Sequence, residues 1–217
     1  MKTYKIAVIA GDGIGPEVIA EGVKVLNAVA KLDGGFQFDF THFPWGCDYY
    51  KQTGKMMPAD GMEQLAGFDA IFLGAVGAPD VPDHISLWDL LLTIRKGFDQ
   101  YINLRPVKLF PGVETPLANK TTEDIDYVVV RENSGGVYTG MGGCVQQNTP
   151  DEVACQNWVY TRKQVDRCLK YAFELAAKRH TKENPWKGLS EEDKKAGYVA
   201  QLTLVGKTNV LTYVCGM

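Results

Sequence analysis

An arginine closes an otherwise apolar stripe on a predicted helix. In the segment HISLWDLLLTIRKGFDQYINLRP, helical spacing places Trp88, Leu91 and Arg95 on one face. A guanidinium on such a face needs a counter-charge, and its planar fork matches a carboxylate or a phosphate. Asp99 is the nearest acid at helical spacing. Arg95 therefore either pairs with Asp99 on a solvated face or binds an external anion.

Further cations stand where predicted elements end. Arg105 follows that helix, Arg131 ends the apolar run Ile125–Val130, and Lys207 follows another apolar run. Tyr138 lies in the glycine-rich stretch after Arg131. A tyrosine there is either a proton donor or a packed side chain whose hydroxyl is satisfied. Fixed cations beside a possible acid indicate chemistry on an anionic substrate.

Alternating strands and helices must position these residues. The predicted strands are short apolar or alternating runs: Lys5–Ala10, Phe36–Thr41 and Asp69–Leu73. Helices are predicted between and after them, the first beginning at Pro16 with an apolar stripe expected to face inward: Val18, Val25, Val29 and Leu32. This order predicts a mostly parallel, doubly wound α/β sheet.

Two small-residue loops follow strands of this sheet. Gly11–Gly15 has the spacing G-x-G-x-G, which differs from the dinucleotide fingerprint G-x-G-x-x-G. Gly74–Pro79 follows the strand that ends at Leu73. Open α/β sheets bind ligands at the carboxyl ends of their strands, so this second loop is either a ligand loop or a plain connection.

The second half of the chain is less regular. The residues 144–160 form either an arm that pairs with a partner chain or a surface hairpin, and Thr161 with Gln164 predicts a capping box. Val199–Val205 is predicted as a strand before Gly-Lys-Thr-Asn. A P-loop is excluded there because its first glycine would fall on Gln201.

Composition narrows the class of protein. The 217 residues are 45% apolar and 23% charged, with a net charge of -3, which predicts a globular protein without a nucleic-acid or anionic-membrane footprint. No apolar run reaches the roughly 20 residues that span a bilayer. Five cysteines without C-x-x-C spacing predict neither a disulfide framework nor a zinc site, so the cytoplasm is the expected compartment.

Four segments in order resemble one enzyme family. They are GDGIGPE near the N-terminus, IRKGFDQYINLRP, RENSGGVYTG and GKTN. Together they resemble the NAD-dependent β-decarboxylating dehydrogenases, the isocitrate/isopropylmalate dehydrogenase family, and look most like its tartrate/D-malate branch. The resemblance implies oxidative decarboxylation of a small 2-hydroxy diacid, D-malate or tartrate, with NAD as hydride acceptor.

The resemblance also implies an architecture. The expected fold is the two-lobed isopropylmalate-dehydrogenase-like α/β fold, incomplete at the C-terminus. Residues 1–106 would form the cofactor-side lobe, and residues 107–217 the second lobe with a dimer arm at 144–160. A homodimer is implied because in this family the catalytic lysine comes from the partner subunit.

Family roles extend to the matching residues of this sequence. Tyr138 would be the general acid and Lys207 part of the proton relay. The substrate would meet Arg95, Arg105, Arg131, Trp88 and Leu91. The cofactor would meet Ile14, Ala75, Val76, Gly77 and Asn209. A bulky Trp88 predicts a small substrate over isopropylmalate.

The family's metal site and adenine loop lie beyond the matching segments. The resemblance implies Mg²⁺ or Mn²⁺ held by aspartates downstream of this chain, and no metal ligand is assigned within it. This leads us to expect a truncated member with little or no turnover. Two alternatives stay open: a non-catalytic dicarboxylate-binding module, and a structural pseudo-enzyme that dimerises through its arm.

Overall fold

The computed structural model describes residues 1–216, which form two compact units, Met1–Phe98 and a second unit that begins at Asp99. The first unit alternates strands and helices. Its elements are β1 Lys2–Gly11, α1 Gly15–Asp33, β2 Phe36–His42, α2 Cys47–Thr53, α3 Gly61–Ala66, β3 Ala70–Ala75, α4 Asp83–Ser86, a π-helical turn Leu87–Leu92 and α5 Thr93–Gly97.

The first unit contains a parallel sheet in the order β2-β1-β3. Successive side chains of the central strand point to opposite faces. Ile6 and Val8 pack in a cluster with Ile19 of α1, whereas Ala7 and Ile9 belong to the other hydrophobic cluster. Because both faces are covered, β1 is apolar without alternation. The predicted α/β class with a parallel sheet is confirmed.

Helix α1 buries a different face from the predicted one. The four residues expected to face inward are between 48% and 88% exposed: Val18, Val25, Val29 and Leu32. The buried positions include Ile19 and Ala30. The helix approaches the sheet closely at Gly22, where a Cβ would lie 2.5 Å from Cζ of Phe72. Since both stripes are apolar, close packing against the sheet selects the face with the small residue.

The helix that carries Arg95 begins at Asp83 and changes its hydrogen-bond register in the middle. Its π-helical turn is supported by Thr93, whose Oγ1 donates a hydrogen bond of 2.8 Å to the carbonyl of Trp88. Leu90, Leu92 and Ile94 are buried on this helix. Wider π-helical turns occur mostly as local bulges, often at functional sites.

The second unit is built from two antiparallel pairs and helices. Its elements are β4 Ile102–Lys108, β5 Asp126–Glu132, a 3-10 turn Val137–Thr139, β6 Gly142–Val145, β7 Val153–Gln156, α6 Arg162–Arg179, α7 Glu191–Lys195 and α8 Thr212–Cys215. The capping box of Thr161 and Gln164 at α6 is confirmed. β6 and β7 form a hairpin whose strands are exposed throughout.

Two predictions for this unit differ from the structure. Val199–Val205 contains no strand: the N–H of Trp186 donates to the carbonyl of Val199 at 2.8 Å, but among the described residues no strand runs alongside the segment, and most of its residues are exposed. The predicted lobe boundary between residues 106 and 107 falls inside β4, while the compact units divide before Asp99. Among residues 1–216, no helix has the length and apolar character needed to cross a membrane.

Candidate active site

The second unit brings Arg131 and Tyr138 into direct contact. Nη2 of Arg131 donates a hydrogen bond of 2.5 Å to the phenol oxygen of Tyr138. The same guanidinium carbon lies 4.9 Å from the centroid of the Tyr138 ring. Both side chains are half-buried. A guanidinium has five N–H donors, so Arg131 can hold the phenol and still bind a carboxylate.

The register of the β4–β5 pair places Arg105 on the same face as Arg131. Asn103 lies directly opposite Arg131, and Arg105 is two residues further along β4. Residues two apart on a strand share a face, as do residues directly opposite each other. Nε of Arg105 also donates a hydrogen bond of 3.2 Å to Oδ1 of Asn103. The ladder therefore presents two guanidinium groups on one side.

A braced turn connects Arg131 to Tyr138. The carboxylate of Glu132 accepts the backbone N–H groups of Ser134 at 2.9 Å and Gly135 at 2.8 Å, and also accepts the Ser134 hydroxyl. These bonds fold the chain back directly after β5. The turn then enters the short 3-10 segment that carries Tyr138.

The first unit holds the other predicted substrate residues on one helix. Trp88, Leu91 and Arg95 are each half-buried. The Lys96 ammonium lies 4.4 Å from the centroid of the Trp88 ring, in cation–π geometry. This contact fixes one side of the indole beside a predicted substrate-binding arginine.

Asp12 joins three segments at the carboxyl edge of the parallel sheet. Its Oδ1 accepts the N–H of Cys47 at 2.8 Å, and its Oδ2 accepts the N–H of Gly77 at 3.0 Å. Its own N–H donates to the carbonyl of Ala75. Burial, and then the Asp12 carboxylate, raise the pKa of the Cys47 thiol to about 11. Asp12 thereby ties the loop after β1 to the start of α2 and to the loop after β3.

The same edge carries the predicted cofactor residues. Gly15, next to Ile14, is so close to Ala75 that a Cβ there would lie 2.9 Å from the Ala75 nitrogen. No atom lies within 4 Å of the Cβ position at Gly13 or Gly77, and both glycines have positive φ. Two open glycine positions beside a helix start suit close approach of a nucleotide to the backbone.

The remaining predicted residues are not gathered with this group. Lys207 and Asn209 are exposed residues of the turn before α8. Within residues 1–216, neither makes a hydrogen bond or ion pair with Tyr138 or Arg131. In the described part of the chain, no three His, Cys, Asp or Glu side chains cluster as a metal site would require. The residues present do not fit a divalent metal, and we derive no step through one.

Two residues near these groups escaped sequence reasoning. Asp12 was passed over because an acid between two glycines gives no periodic signal. Arg167 of α6 binds both carboxylate oxygens of Asp99, at 2.6 and 2.8 Å. Asp99 therefore pairs with Arg167. Pairing over such a distance in sequence is invisible to helical spacing.

The chain belongs to the isocitrate/isopropylmalate dehydrogenase family, which its residues 5–186 match. A crystal structure of isocitrate dehydrogenase from Methylococcus capsulatus is similar to it with a TM-score of 0.66 and 28% identity, covering 81% of this chain and 48% of that one.

Two curated relatives are similar in sequence. The D-malate dehydrogenase (decarboxylating) of Escherichia coli is 58% identical over 184 residues, which cover 84% of this chain and 51% of the relative. A probable tartrate dehydrogenase/decarboxylase of Agrobacterium vitis is 56% identical over 182 residues, with 84% and 51% covered. The chain thus spans about half the length of these relatives.

Proposed function

We propose that the protein carries the substrate-binding and proton-donating residues for NAD-dependent oxidative decarboxylation of a small 2-hydroxy diacid, D-malate or tartrate. The contact between Arg131 and Tyr138 is the observation that carries this proposal. It joins an anion-binding group to a proton donor in one unit. The names of the two relatives, a D-malate dehydrogenase and a tartrate dehydrogenase/decarboxylase, support the substrate class.

Arg105 and Arg131 bind carboxylate oxygens of the diacid. Their shared face on the β4–β5 ladder allows two forked, charge-assisted interactions with one anion. The family resemblance assigns Arg95 to the substrate as well. These contacts orient the carboxylate that leaves as carbon dioxide.

Tyr138 supplies the proton that completes the reaction. When carbon dioxide leaves, the electron pair of the broken bond remains on the third carbon, and the phenol O–H protonates that carbon. Arg131 stabilises the negative charge left on the phenol oxygen, because its N–H is already aimed at that atom. Lys207 is assigned to accept the proton of the substrate hydroxyl.

When bound, NAD would supply the acceptor for the hydride on the second carbon of the diacid. Gly13, Ile14 and the Ala75–Gly77 loop would hold its nicotinamide end at the carboxyl edge of the sheet. Asp12 would keep that loop in place through its bond to Gly77. Asn209 is assigned to the same cofactor.

NADH formation by the purified chain tests this function. The assay contains D-malate or tartrate, NAD, Mn²⁺ or Mg²⁺ and a potassium salt, and NADH is followed by its near-ultraviolet absorbance. The proposed function predicts turnover that is lost in Tyr138→Phe and kept in the control Tyr198→Phe, whose side chain is exposed. Such turnover would overturn the expectation from the sequence that this chain has little or no activity. Turnover that is equal in both variants would reject the assignment of Tyr138.

A second candidate function is binding of the dicarboxylate without turnover. It is favoured by the two arginines that share one face of the β4–β5 ladder, because they can bind carboxylates without any reaction. Calorimetric titration with D-malate separates the two. Heat of binding that disappears in Arg131→Ala, with no NADH formed, would support the binding module over the enzyme.

The hairpin β6–β7 supports the proposal of a homodimer. Val145 and Val153 face each other across the hairpin and are 61% and 58% exposed. This apolar pair would be covered if the hairpin packed against a second copy of the chain. We expect Val145→Lys to lower the molecular mass measured by light scattering toward that of one chain. Glu152→Lys, at the exposed turn beside it, should not.

A further inference from the structure

The ring of Tyr160 covers the glycine pair that precedes Tyr138. A Cβ built at Gly135 would lie 2.5 Å from Cδ1 and 2.8 Å from Cε1 of Tyr160. A Cβ at Gly136 would lie 2.7 Å from its hydroxyl oxygen. Real Cβ contacts are not this short, so the ring occupies the space that any larger residue would need at either glycine.

A backbone bridge holds the same two segments together. The N–H of Gly136 donates to the carbonyl of Val159 at 2.9 Å, and the N–H of Val159 donates back at 3.4 Å. Val159 directly precedes Tyr160, and this bridge is the last pairing before α6 begins. The φ of Gly136 is +69°, which a residue with a side chain adopts only at a cost.

The bridged residue Gly136 lies only two positions before Tyr138 in the chain. The carbonyl of Gly136 also accepts a hydrogen bond of 3.0 Å from Oγ1 of Thr139, the residue after Tyr138. A shift of Gly136 would therefore move the 3-10 segment and with it the phenol oxygen held by Arg131.

Ring atoms of Tyr160 contact both glycines, and its hydroxyl oxygen is the atom nearest to Gly136. Among the described residues, no hydrogen bond to the Tyr160 hydroxyl is present. Burial, and then the nearby Glu132 carboxylate, raise the pKa of this phenol above its ordinary value, so it stays neutral near pH 7. The positive charge of Arg131 lowers the pKa of Tyr160, but by less than burial and Glu132 raise it.

We propose that Tyr160 is a positioning residue whose ring, packed on Gly135 and Gly136, sets the place of Tyr138 against Arg131. The structural part of this proposal does not depend on turnover. Its kinetic consequence rests on the proposed function, in which Tyr138 donates the proton.

A fluorine label reports the position of Tyr138 without any catalysis. With 3-fluorotyrosine introduced at position 138, the ¹⁹F signal responds to the Arg131 guanidinium that lies over the ring. We expect Tyr160→Leu to shift or broaden this signal and Tyr160→Phe to leave it in place. Tyr198→Leu, at an exposed tyrosine of the same unit, should also leave it in place.

Gly135→Ala tests the same contact from the other side. The φ of Gly135 is not positive, so alanine conflicts there with the Tyr160 ring and the Val159 carbonyl rather than with its own backbone. We expect Gly135→Ala to shift the ¹⁹F signal. In the double variant Gly135→Ala with Tyr160→Leu, we expect a shift smaller than the sum of the shifts in the two single variants. Such relief requires direct contact.

Kinetics of the unlabelled chain give the second readout. We expect Tyr160→Leu to lower kcat for D-malate by about tenfold to a hundredfold, as misplacement of a reacting group by about 1 Å does. KM should change by less than about threefold, because the arginines that bind the diacid are held by the β4–β5 ladder. Tyr160→Phe should restore kcat.

The outcomes separate the two proposals. Unchanged ¹⁹F signals in both Tyr160→Leu and Gly135→Ala overturn the positioning role, whether or not the chain turns over. If Tyr160→Leu does not fold, an unchanged signal in Gly135→Ala alone overturns it. Shifted signals in the two variants would support the positioning role. If the wild-type chain also formed no NADH, that result would count against the proposed function alone.

Discussion

Arg131 holds Tyr138 in two ways, with a hydrogen bond of 2.5 Å to the phenol oxygen and a guanidinium 4.9 Å from the ring centroid. We expect Arg131→Lys to lower kcat/KM for D-malate by about a hundredfold, because an ammonium cannot hold the phenol and also bind a carboxylate through a fork. Steady-state NADH formation measures this. Arg179→Lys, in the ion pair of α6 with Asp126, is the matched control. Equal losses in both variants would contradict the assigned role of Arg131.

Trp88 is expected to limit the size of the substrate. The Lys96 ammonium lies over one face of its indole, and Thr93 Oγ1 donates a hydrogen bond to its backbone carbonyl. Trp88→Ala should improve kcat/KM for 3-isopropylmalate relative to D-malate by about tenfold or more, because space opens for a substituent on the third carbon. Competing-substrate kinetics measure the ratio, with Trp158→Ala as the control. An unchanged ratio in Trp88→Ala would rule out this role.

Asp12 is expected to contribute to stability and to cofactor binding together. Asn at this position keeps the size but replaces one acceptor oxygen by a donor that faces an N–H of Cys47 or Gly77. We expect Asp12→Asn to lower the free energy of unfolding by about 1–3 kcal/mol and to weaken NAD binding. Urea unfolding and fluorescence titration with NADH measure the two effects. Asp48→Asn, whose side chain is 87% exposed, should change neither; a comparable loss in that variant would refute the specific role of Asp12.

The pair of Asp99 and Arg167 predicts an acid-sensitive contribution to stability. Arg167 lowers the pKa of Asp99 below its ordinary value of 3.8. A carboxyl group with a lowered pKa stabilises the folded state above its unfolded pKa, and this contribution is lost as pH falls through the folded value. Asn is a suitable replacement because Asp99 has a φ of +47°, which asparagine tolerates.

We therefore expect Asp99→Asn to lower stability at pH 7 by no more than about 1 kcal/mol, since Asp99 is largely exposed. The difference from wild type should shrink below pH 3.8. Urea midpoints across this pH range measure it. Asp166→Asn is the control, because Asp166 forms an exposed ion pair with Arg162 on α6, the helix that carries Arg167. A difference that stays constant down to the lowest pH would show that the ion pair is not its cause.

Local patterns predicted most of the first unit correctly. A continuous apolar run bounded by glycine identified β1, because a strand covered on both faces needs no alternation. Alternating phenylalanines identified β2, and the Thr161 capping box identified the start of α6. Each of these signals spans only a few consecutive residues, so it depends on local backbone conformation and not on contacts with distant segments.

The face of α1 could not be predicted in the same way. The helix carries two apolar stripes, and only the approach of Gly22 to Phe72 selects one of them. Val199–Val205 has the composition of a strand, but a strand exists only when a neighbour pairs with it.

The sequence by itself determined the residue types of the candidate site: three arginines, a tyrosine after a glycine pair, and two glycine-rich loops after strands. Only the tertiary structure decided their partners. The β4–β5 register placed Arg105 beside Arg131, and Asp12 joined segments far apart in the chain. Tyr160 likewise met Gly135 only because the chain returns from the hairpin. The physical reason is that side-chain chemistry is local, whereas the contacts that position it depend on strand pairing and close packing between segments distant in sequence.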